Sequence, residues 1–322
     1  MAYPKSAYCS QYTREHRALQ DTAQVTATFS RRMRIRLRDD TEADARIKGK
    51  RQRPVCGDVV HVQTISGEQD WLITAIGERR NALTRPNRRG EAEVLAANID
   101  TLCAVAAPAP IPDWYIIDRY LGAAELMSAE GVVVFNKTDL RDASGGSKSA
   151  AEEILEDYRR IGYTVIACSA ESGEGIEELR EALSGDTSIL VGQSGVGKSS
   201  LINRLLDADA MRTGELSGKS REGRHTTVNS VMLDLPGGGA VIDSPGVRDY
   251  APAIDARANV AQGFREIREA AADCRFANCQ HMKEPGCAVK AAVEAGTISE
   301  RRYESYRRLL ILTSQLAERR GP

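Results

Sequence analysis

The sequence of 322 residues contains no apolar run long enough to cross a membrane. The apolar stretch at residues 101–112 is interrupted by prolines and falls short of the roughly 18 residues that a spanning helix needs. Residues 1–5, MAYPK, lack the apolar core of a secretory signal. These absences argue against a membrane protein and make the cytoplasm the expected compartment.

The chain also lacks a disulfide framework, an internal repeat and an extended low-complexity tract. Four of its seven cysteines, Cys9, Cys56, Cys103 and Cys168, are widely spaced and show no pairing pattern, which is typical of reduced thiols. With 42% hydrophobic and 28% charged residues, a chain of this length can bury a sizeable core. We therefore expect a folded protein of two or three domains.

The net charge of −1 conceals an uneven distribution of charge. Residues 1–90 carry 18 Lys+Arg against 10 Asp+Glu, residues 91–255 carry 14 against 27, and residues 256–322 carry 12 against 8. Two basic flanks around an acidic centre favour a polyanionic partner such as RNA, held by the two ends. The alternative is that the arginine-rich faces are simply solvated, as charge runs usually are.

A phosphate-binding loop lies at residues 192–199, GQSGVGKS, between an apolar strand at 188–191 and a helical segment at 200–206. Strand, glycine-rich loop and helix are the context that the G-x-x-x-x-G-K-[ST] motif requires. Its backbone N–H groups and helix N-terminus suit phosphate, Lys198 suits the β- and γ-phosphate oxygens, and Ser199 suits Mg²⁺. The predicted nucleotide contacts are Gly192, Gln193, Ser194, Gly195, Val196, Gly197, Lys198, Ser199 and Ser200.

A guanine-reading tetrad precedes this loop in the chain, directly after the apolar segment 132–135. It consists of Asn136, Lys137, Thr138 and Asp139. The Asp139 carboxylate can accept from both N1–H and the 2-amino group of guanine, whereas adenine would leave it unpaired, so the tetrad selects GTP over ATP. A second apolar strand at 165–168 ends in Ser169 and Ala170, which suit backbone contact with the guanine carbonyl.

Downstream of the phosphate loop, the element GRHTT at 223–227 and the turn DSPG at 243–246 supply the remaining parts of a GTPase. Asp243 would hold Mg²⁺ through water, and the Gly246 N–H would sense the γ-phosphate. Thr226 or Thr227 would close over the metal when triphosphate is bound, with Thr227 the predicted magnesium ligand.

A compact set of metal ligands, C-x4-C-x-H-x5-C, occupies 14 residues near the C-terminus. Its members are Cys274, Cys279, His281 and Cys287. Three thiols and one imidazole match a closed tetrahedral Zn²⁺ site, which leaves no position open for catalysis and is therefore structural. Amphipathic helical segments are predicted on either side, at 260–272 and 300–319.

Short alternating strands at 25–29, 33–38, 59–62 and 71–76 predict a small β-domain near the N-terminus, of a size that suits an OB-fold barrel. Arginines share one face of segment 33–38, as an oligonucleotide-binding strand would need. A basic linker is expected at 81–90, followed by a first α/β strand at 97–105 and helices near 116–129, 151–161 and 175–183. Residues 142–149 are expected to form a surface loop.

The order tetrad, Ser-Ala, phosphate loop, threonine switch and D-x-P-G resembles that of the circularly permuted GTPases. With the Cys/His cluster and the N-terminal barrel, it is similar to the ribosome small-subunit-dependent GTPase A family over nearly the whole chain. The resemblance implies a flexible arm at 1–22, an OB-fold β-barrel at 23–88, a permuted α/β P-loop GTPase domain at 89–255 and a helical zinc-binding domain at 256–322. It also implies a GTP hydrolase, Mg²⁺ bound with GTP, and a role in late assembly of the small ribosomal subunit through contact with its rRNA.

The catalytic apparatus departs from many GTPases, because Val247 rather than Gln follows the D-x-x-G turn and cannot orient water. His225 resembles the family's histidine in GRHTT, and its imidazole titrates near neutrality, as water orientation requires. The alternative is that His225 packs or binds RNA phosphate. We expect a monomer whose slow hydrolysis is stimulated by the subunit.

Three other functions remain open from the sequence. They are a permuted GTPase of the large subunit, an RNA-binding module in which the nucleotide only tunes affinity, and a P-loop kinase. The kinase would have no need of Asp139.

Overall fold

The computed structural model describes residues 20–30, 32–49, 53–86, 92–140, 149–206, 228–244 and 259–320. The N-terminal part is a barrel of five strands: β1 (Gln20–Phe29), β2 (Met33–Leu37), β3 (Glu42–Ile47), β4 (Val59–Thr64) and β5 (Trp71–Ile76). The strand order is β1-β2-β3-β5-β4, and β4 also pairs with β1, which closes the barrel. Inward residues such as Val25, Ile35 and Ile73 are fully buried and form the core of this unit. The predicted barrel is confirmed.

Two local predictions after the barrel were wrong. The expected linker at 81–90 contains strand β6 (Ala82–Pro86), which pairs with β7 (Ala92–Ala97) in a separate hairpin. The expected strand at 97–105 begins only at Thr101, because Asn98 takes a left-handed φ of 55° and ends β7. The Asn98 side chain accepts from Arg80 N and donates to Gly57 O, which holds the hairpin against the barrel.

The central domain is a parallel sheet with helices on both faces. Its strands are β8 (Thr101–Ala106), β9 (Glu130–Phe135), β10 (Thr164–Ala167), β11 (Thr187–Val191) and β13 (Ala240–Asp243), with β12 (Val228–Asp234) antiparallel to β13. Helices α1 (Trp114–Leu126) and α2 (Ala150–Ile161) cover one face, and α3 (Ile176–Ala182) and α4 (Lys198–Leu205) cover the other. Strand β8 is buried along its whole length, as expected of a strand covered on both faces.

Barrel and central domain share one continuous sheet, in the order β10-β9-β8-β11-β13-β12-β1-β2-β3-β5-β4. The connection is made by β12, which pairs antiparallel with the end of β1 at residues Ala27, Thr28 and Phe29. At the same seam, the Arg36 guanidinium of β2 donates to both carboxylate oxygens of Asp234 at 2.9 and 2.6 Å.

The C-terminal part contains a 3-10 turn (Val260–Gly263) and helices α5 (Arg265–Ala271), α6 (Ala288–Glu294) and α7 (Glu300–Arg320). The expected helix at 260–272 is broken at Phe264, whose φ of −128° and ψ of 106° are extended. Gly263 lies so close to Gly122 of α1 that a β-carbon there would come within 2.9 Å of the Gly122 carbonyl oxygen. This close approach seats the C-terminal part on α1.

A buried charge network fixes the same contact. Asp118 of α1 accepts from Arg301 at 2.6 Å, Arg302 at 2.9 Å and the Tyr158 hydroxyl at 2.6 Å. Arg302 also donates to both carboxylate oxygens of Glu266. Burial alone would raise the pKa of Asp118, but the two guanidiniums and its hydrogen bonds lower it overall. Among the described residues, no helix has the length and apolarity needed to span a membrane.

Candidate functional site

Four of the predicted motifs lie at one edge of the parallel sheet, where its strands end. The tetrad follows β9, Ser169 and Ala170 follow β10, the phosphate loop follows β11, and Asp243 ends β13. Because the carboxyl ends of parallel strands meet at one edge, residues as far apart in the sequence as Asn136 and Val196 are in contact. Ligands of open α/β sheets bind at this edge.

The phosphate loop depends on glycine at three positions. Gly192, Gly195 and Gly197 have positive φ values of 139°, 82° and 93°, which side-chain-bearing residues rarely adopt. A β-carbon at Gly192 would also lie 2.2 Å from the Val105 carbonyl oxygen, and one at Gly197 would lie 2.3 Å from Nδ2 of Asn136. Glycine therefore supplies both the loop conformation and the space for its neighbours.

Lys198 begins helix α4 and is buried. Its ammonium group donates to the carbonyl oxygens of Gly192 and Gln193, each at 2.7 Å, and is thus held above the loop that it closes. Ser199 and Ser200 follow in the first turn of the same helix. An ammonium group and a helix N-terminus at the mouth of a glycine loop can stabilise the charge of a bound phosphate.

Asn136 joins the tetrad to the phosphate loop. Its buried amide donates to the Val196 carbonyl oxygen at 2.9 Å and accepts from the Ala170 N–H at 3.1 Å. Lys137 has a φ of 62°, and its ammonium donates to Gly195 O at 2.6 Å and Ala109 O at 2.8 Å. Three motifs from three strands are thus tied together by two side chains of the tetrad.

Asp139 and Ser169 are also brought together. The Ser169 hydroxyl donates to the Asp139 carboxylate and accepts from the N–H groups of Glu171 and Ser172. The Thr138 hydroxyl donates to Glu174 at 3.2 Å. An oriented carboxylate beside the phosphate loop can receive the paired donors of a guanine edge.

Asp243 and Ser199 line one small cleft of about 140 Å³ between α4 and strands β12 and β13. Next to Asp243, Ser244 is buried and its hydroxyl accepts from Ser230 of β12 at 2.9 Å. An acid and a hydroxyl at the foot of the phosphate loop can hold a hydrated divalent cation. The predicted residues His225, Thr226, Thr227 and Gly246 lie outside the described residues.

Two contacts of this site were missed by reasoning from the sequence. The Gln193 side chain accepts from the Asp113 N–H at 2.8 Å, which joins the phosphate loop to the start of α1. Glu174 supports Thr138 as described above. Neither has a sequence signal, because both depend on a tertiary contact between segments that no spacing rule connects.

The four predicted metal ligands converge, with their ligand atoms within 4.8 Å of one another. His281 Nδ1 lies 3.5 Å from the sulfurs of both Cys274 and Cys287, and those sulfurs are 3.9 Å apart. Four sulfur and nitrogen ligands at 2.0–2.3 Å from a tetrahedral zinc ion would be separated by about 3.5 to 3.8 Å. Three of the four ligand atoms match this spacing, the Cys279 sulfur lies within 4.8 Å of them, and all three thiols are free, so the residues fit a metal centre of four ligands.

Backbone contacts prearrange this cluster. His281 takes a φ of 58°, and its carbonyl oxygen accepts from the Tyr303 hydroxyl, while the Tyr306 hydroxyl donates to Gln280 O. Backbone N–H groups of Glu284 itself, Gln280, Met282 and Lys283 lower the pKa of the Glu284 carboxyl to about 2. Two tyrosine side chains of helix α7 thus hold the main chain of the loop that carries the metal ligands.

The remaining described cysteines are unsuited to metal binding or redox chemistry. Cys56, Cys103 and Cys168 are buried and free, and burial raises the pKa of each to about 12. Thiols of this kind behave as small apolar residues. Cys9 lies outside the described residues.

The arginine face of segment 33–38, which suggested RNA contact, is largely neutralised by acidic residues of the barrel and of β12. Its three arginines pair with acids, Arg34 with Asp44, Arg36 with Asp234, and Arg38 with Asp21. Paired guanidiniums present a weaker positive field than the sequence suggested, because each partner carboxylate cancels one charge.

Comparison with known proteins places this geometry in context. The model of the family described as RsgA GTPase matches residues 76–252. The chain is 40% identical over 290 residues to the small ribosomal subunit biogenesis GTPase RsgA of Chromohalobacter salexigens, covering 89% of this chain and 84% of that protein. It is 40% identical over 291 residues to the protein of the same name in Pseudomonas aeruginosa, covering 90% and 85%.

Two solved structures have the same fold. YjeQ from Thermotoga maritima matches with a TM-score of 0.71 and 30% identity, over 94% of this chain and all of that one (100%). YloQ, described as a circularly permuted GTPase, matches with a TM-score of 0.67 and 24% identity, over 97% and 99%. The permuted arrangement of sheet and motifs is thus a known architecture.

Proposed function

The chain belongs to the RsgA GTPase family and is a GTP-hydrolysing enzyme, and on that premise we propose that it binds the small ribosomal subunit and its rRNA and acts in late subunit assembly. The observation that most supports the permuted GTP site behind this role is the Asn136 bridge, because it joins a guanine-reading tetrad to a phosphate loop that follows it in the chain. The name shared by the related proteins supports the choice of partner.

In the proposed site, Asp139 accepts from N1–H and the 2-amino group of guanine while Ser169 orients it. The turn at Ala170 faces the 6-oxo group, and Lys137 packs beside the base. The N–H groups of the phosphate loop and Lys198 receive the phosphates. Each role follows from the chemistry of a group at the shared edge of the sheet.

Ser199, Thr227 and Asp243 are the proposed magnesium-binding residues. The shared cleft of Ser199 and Asp243 supports two of them. When bound, Mg²⁺ neutralises charge that develops on the phosphate oxygens. Thr226, Thr227 and Gly246 would then report the presence of the γ-phosphate.

One zinc ion is proposed for Cys274, Cys279, His281 and Cys287, with a structural role. The tetrahedral spacing of the ligand atoms supports this choice, as does the thiolate-rich donor set. A closed site of four protein ligands stabilises the loop between α5 and α6 and takes no part in hydrolysis.

His225 is proposed to orient the attacking water, since Val247 cannot. The slow intrinsic reaction would accelerate when the subunit orders the segment that carries His225. The test is GTP turnover by the full chain alone, with purified small subunits, and with large subunits. We expect stimulation by small subunits only, and at least about a tenfold loss of that stimulated rate in His225→Ala, as is usual for removal of a general acid or base.

Other outcomes distinguish the alternatives. Stimulation by large subunits alone would favour the permuted GTPase of the large subunit. A flat rate with either subunit, together with binding to small subunits, would favour an RNA-binding module. An unchanged stimulated rate in His225→Ala would remove the histidine from the mechanism while leaving the enzyme and its partner in place.

A further inference from the structure

Helix α4 makes a second connection between the two halves of the nucleotide site, at its far end. Arg204, in the last turn of α4, donates from Nε to the Ala170 carbonyl oxygen at 3.0 Å and from a terminal nitrogen to the Glu171 carbonyl oxygen at 2.9 Å. The guanidinium thus spans the turn that follows β10. A fork of this kind fixes orientation as well as distance, because two parallel donors meet two acceptors.

These contacts close a ring around the site. Asn136 links the phosphate loop to Ala170 from the inside, through Val196 O and the Ala170 N–H. Arg204 links the Ala170 carbonyl oxygen to the C-terminal end of α4, and the N-terminal end of α4 follows the phosphate loop. The Ala170 peptide is therefore held on both sides, by its N–H and by its carbonyl oxygen.

The turn lies against the guanidinium. A β-carbon at Gly173, whose φ is 88°, would be in ordinary van der Waals contact with the Arg204 terminal nitrogen, at 3.8 Å. Gly173 N donates to Ser169 O, which completes a tight turn between residues 169 and 173.

We infer that Arg204 is a positioning residue for guanine specificity, which sets the distance between the 6-oxo-reading turn and the phosphate loop. This inference rests on the proposed guanine site. It assigns Arg204 no contact with the nucleotide. The residue acts through the Ala170 peptide, so its loss weakens the 6-oxo contact and leaves the Asp139 contacts in place.

The kinetic signature follows from the reaction. The base is unchanged between bound GTP and the transition state, so a weaker base contact raises KM and leaves kcat unchanged. Two exposed charge-assisted hydrogen bonds predict a loss of about 3- to 10-fold in affinity for both GTP and GDP.

The test uses the full zinc-loaded chain and titrates wild type, Arg204→Gln and Arg204→Lys with three triphosphates. GTP carries the 6-oxo group, N1–H and the 2-amino group. ITP lacks only the 2-amino group, and 2-aminopurine riboside triphosphate lacks the 6-oxo group and, with it, N1–H. We expect Arg204→Gln to weaken GTP and ITP equally and to leave the 2-aminopurine nucleotide unaffected. The GTP affinity of Arg204→Lys should lie between those of the wild type and Arg204→Gln, since one ammonium group cannot make both hydrogen bonds of the guanidinium.

The matched control is Arg160→Gln, which removes a surface arginine of α2 that is paired with Asp157. It should change no affinity. Equal weakening of all three nucleotides by Arg204→Gln, or an unchanged GTP affinity, would overturn the inference. A wild-type chain that fails to prefer GTP over the 2-aminopurine nucleotide would instead refute the proposed guanine site, so the two failures are distinguishable.

Discussion

At the scale of single residues, the nucleotide site depends on glycines, which have no β-carbon, as much as on its functional side chains. Gly197 directly precedes α4 with a φ of 93°, and the space where a β-carbon would lie holds the amide of Asn136. The glycine therefore permits the loop conformation and also the Asn136 bridge. The spacing of the motif predicts that the loop conformation needs glycine here, but it does not predict that Asn136 occupies the space beside it.

Substitution at Gly197 separates these two requirements. In Gly197→Ala, the left-handed φ costs about 1 kcal/mol or more, and the new methyl group displaces Asn136 from the phosphate loop. We expect GTP affinity to fall on the order of 100-fold, as measured by titration calorimetry.

The control is Gly185→Ala, because Gly185 has a similar φ of 82° but nothing within 4 Å of an added β-carbon. That variant carries the same backbone strain and should bind GTP as wild type does while melting slightly earlier. Equal GTP affinities in the two variants would show that displacement of Asn136 is unimportant.

At the scale of elements, the sequence predicted strands and helices where their periodicity was strong. Strand β5 lies at Trp71–Ile76 as expected, and α7 begins at Glu300 as expected. Strand β3, EADARI, was missed because it is short and half polar, and it forms only between β2 and β5. Its existence depends on neighbours that local pattern cannot supply.

The packing of elements against one another was equally hidden. No motif indicates that β12 joins the barrel to the central sheet, because that contact pairs Ala27 with Val231 across 204 positions of sequence. The same holds for Arg302, which reads as one more surface arginine of an amphipathic helix but is fully buried against Asp118 and Glu266. The burial of the Arg302 charge can be recognised only once the packing of α7 against α1 and α5 is known.

The Asp118 network should therefore dominate the attachment of the C-terminal part to α1. Asp118→Asn leaves two guanidiniums short of a buried carboxylate, and we expect unfolding free energy at pH 7 to fall by about 3 to 5 kcal/mol. Asp157→Asn is the control, because Asp157 contacts Arg301 at 3.4 Å from a more exposed position. It should cost about 1 kcal/mol or less.

The pH dependence of this effect has a definite sign. The pKa of Asp118 is lower in the folded state than in the unfolded chain, so its contribution is fully present above about pH 4 and is lost as the pH falls through the folded pKa. In denaturant melts, the gap in unfolding free energy between wild type and Asp118→Asn should therefore stay constant down to about pH 4 and then narrow over the range below about pH 4. A gap that stays constant over this range would contradict the assignment.

At the scale of the whole molecule, chain order and spatial order are separate properties. The tetrad comes first in sequence and the phosphate loop second, yet the parallel sheet brings both to one edge and Asn136 joins them. The motifs predicted four segments that the structure brings to this edge, namely the tetrad, Ser169 and Ala170, the phosphate loop and Asp243, because each has its own chemical pattern. They left open how the barrel, the central sheet and the C-terminal part are joined.

The way these parts are joined determines which of them contact the strands and helices of the nucleotide site. Strand β12 lies between β13, which ends at Asp243, and β1 of the barrel. The C-terminal part is attached to α1 on another side of the same sheet. The barrel is therefore attached to the nucleotide domain by backbone pairing of β1 with β12. The C-terminal part, which carries the metal ligands, is attached to it by the buried charges around Asp118.

The proposed site requires one guanine nucleotide to be bound jointly by Asp139 and the phosphate loop. Titration calorimetry of the wild type and Asp139→Asn with GTP, ATP and XTP tests it most directly. The wild type should bind GTP at least about 100-fold more tightly than ATP, and Asp139→Asn should transfer that preference to XTP, whose 2-oxo group accepts from the new amide. Equal affinity of the wild type for ATP and GTP, or a GTP preference that survives Asp139→Asn, would contradict the account.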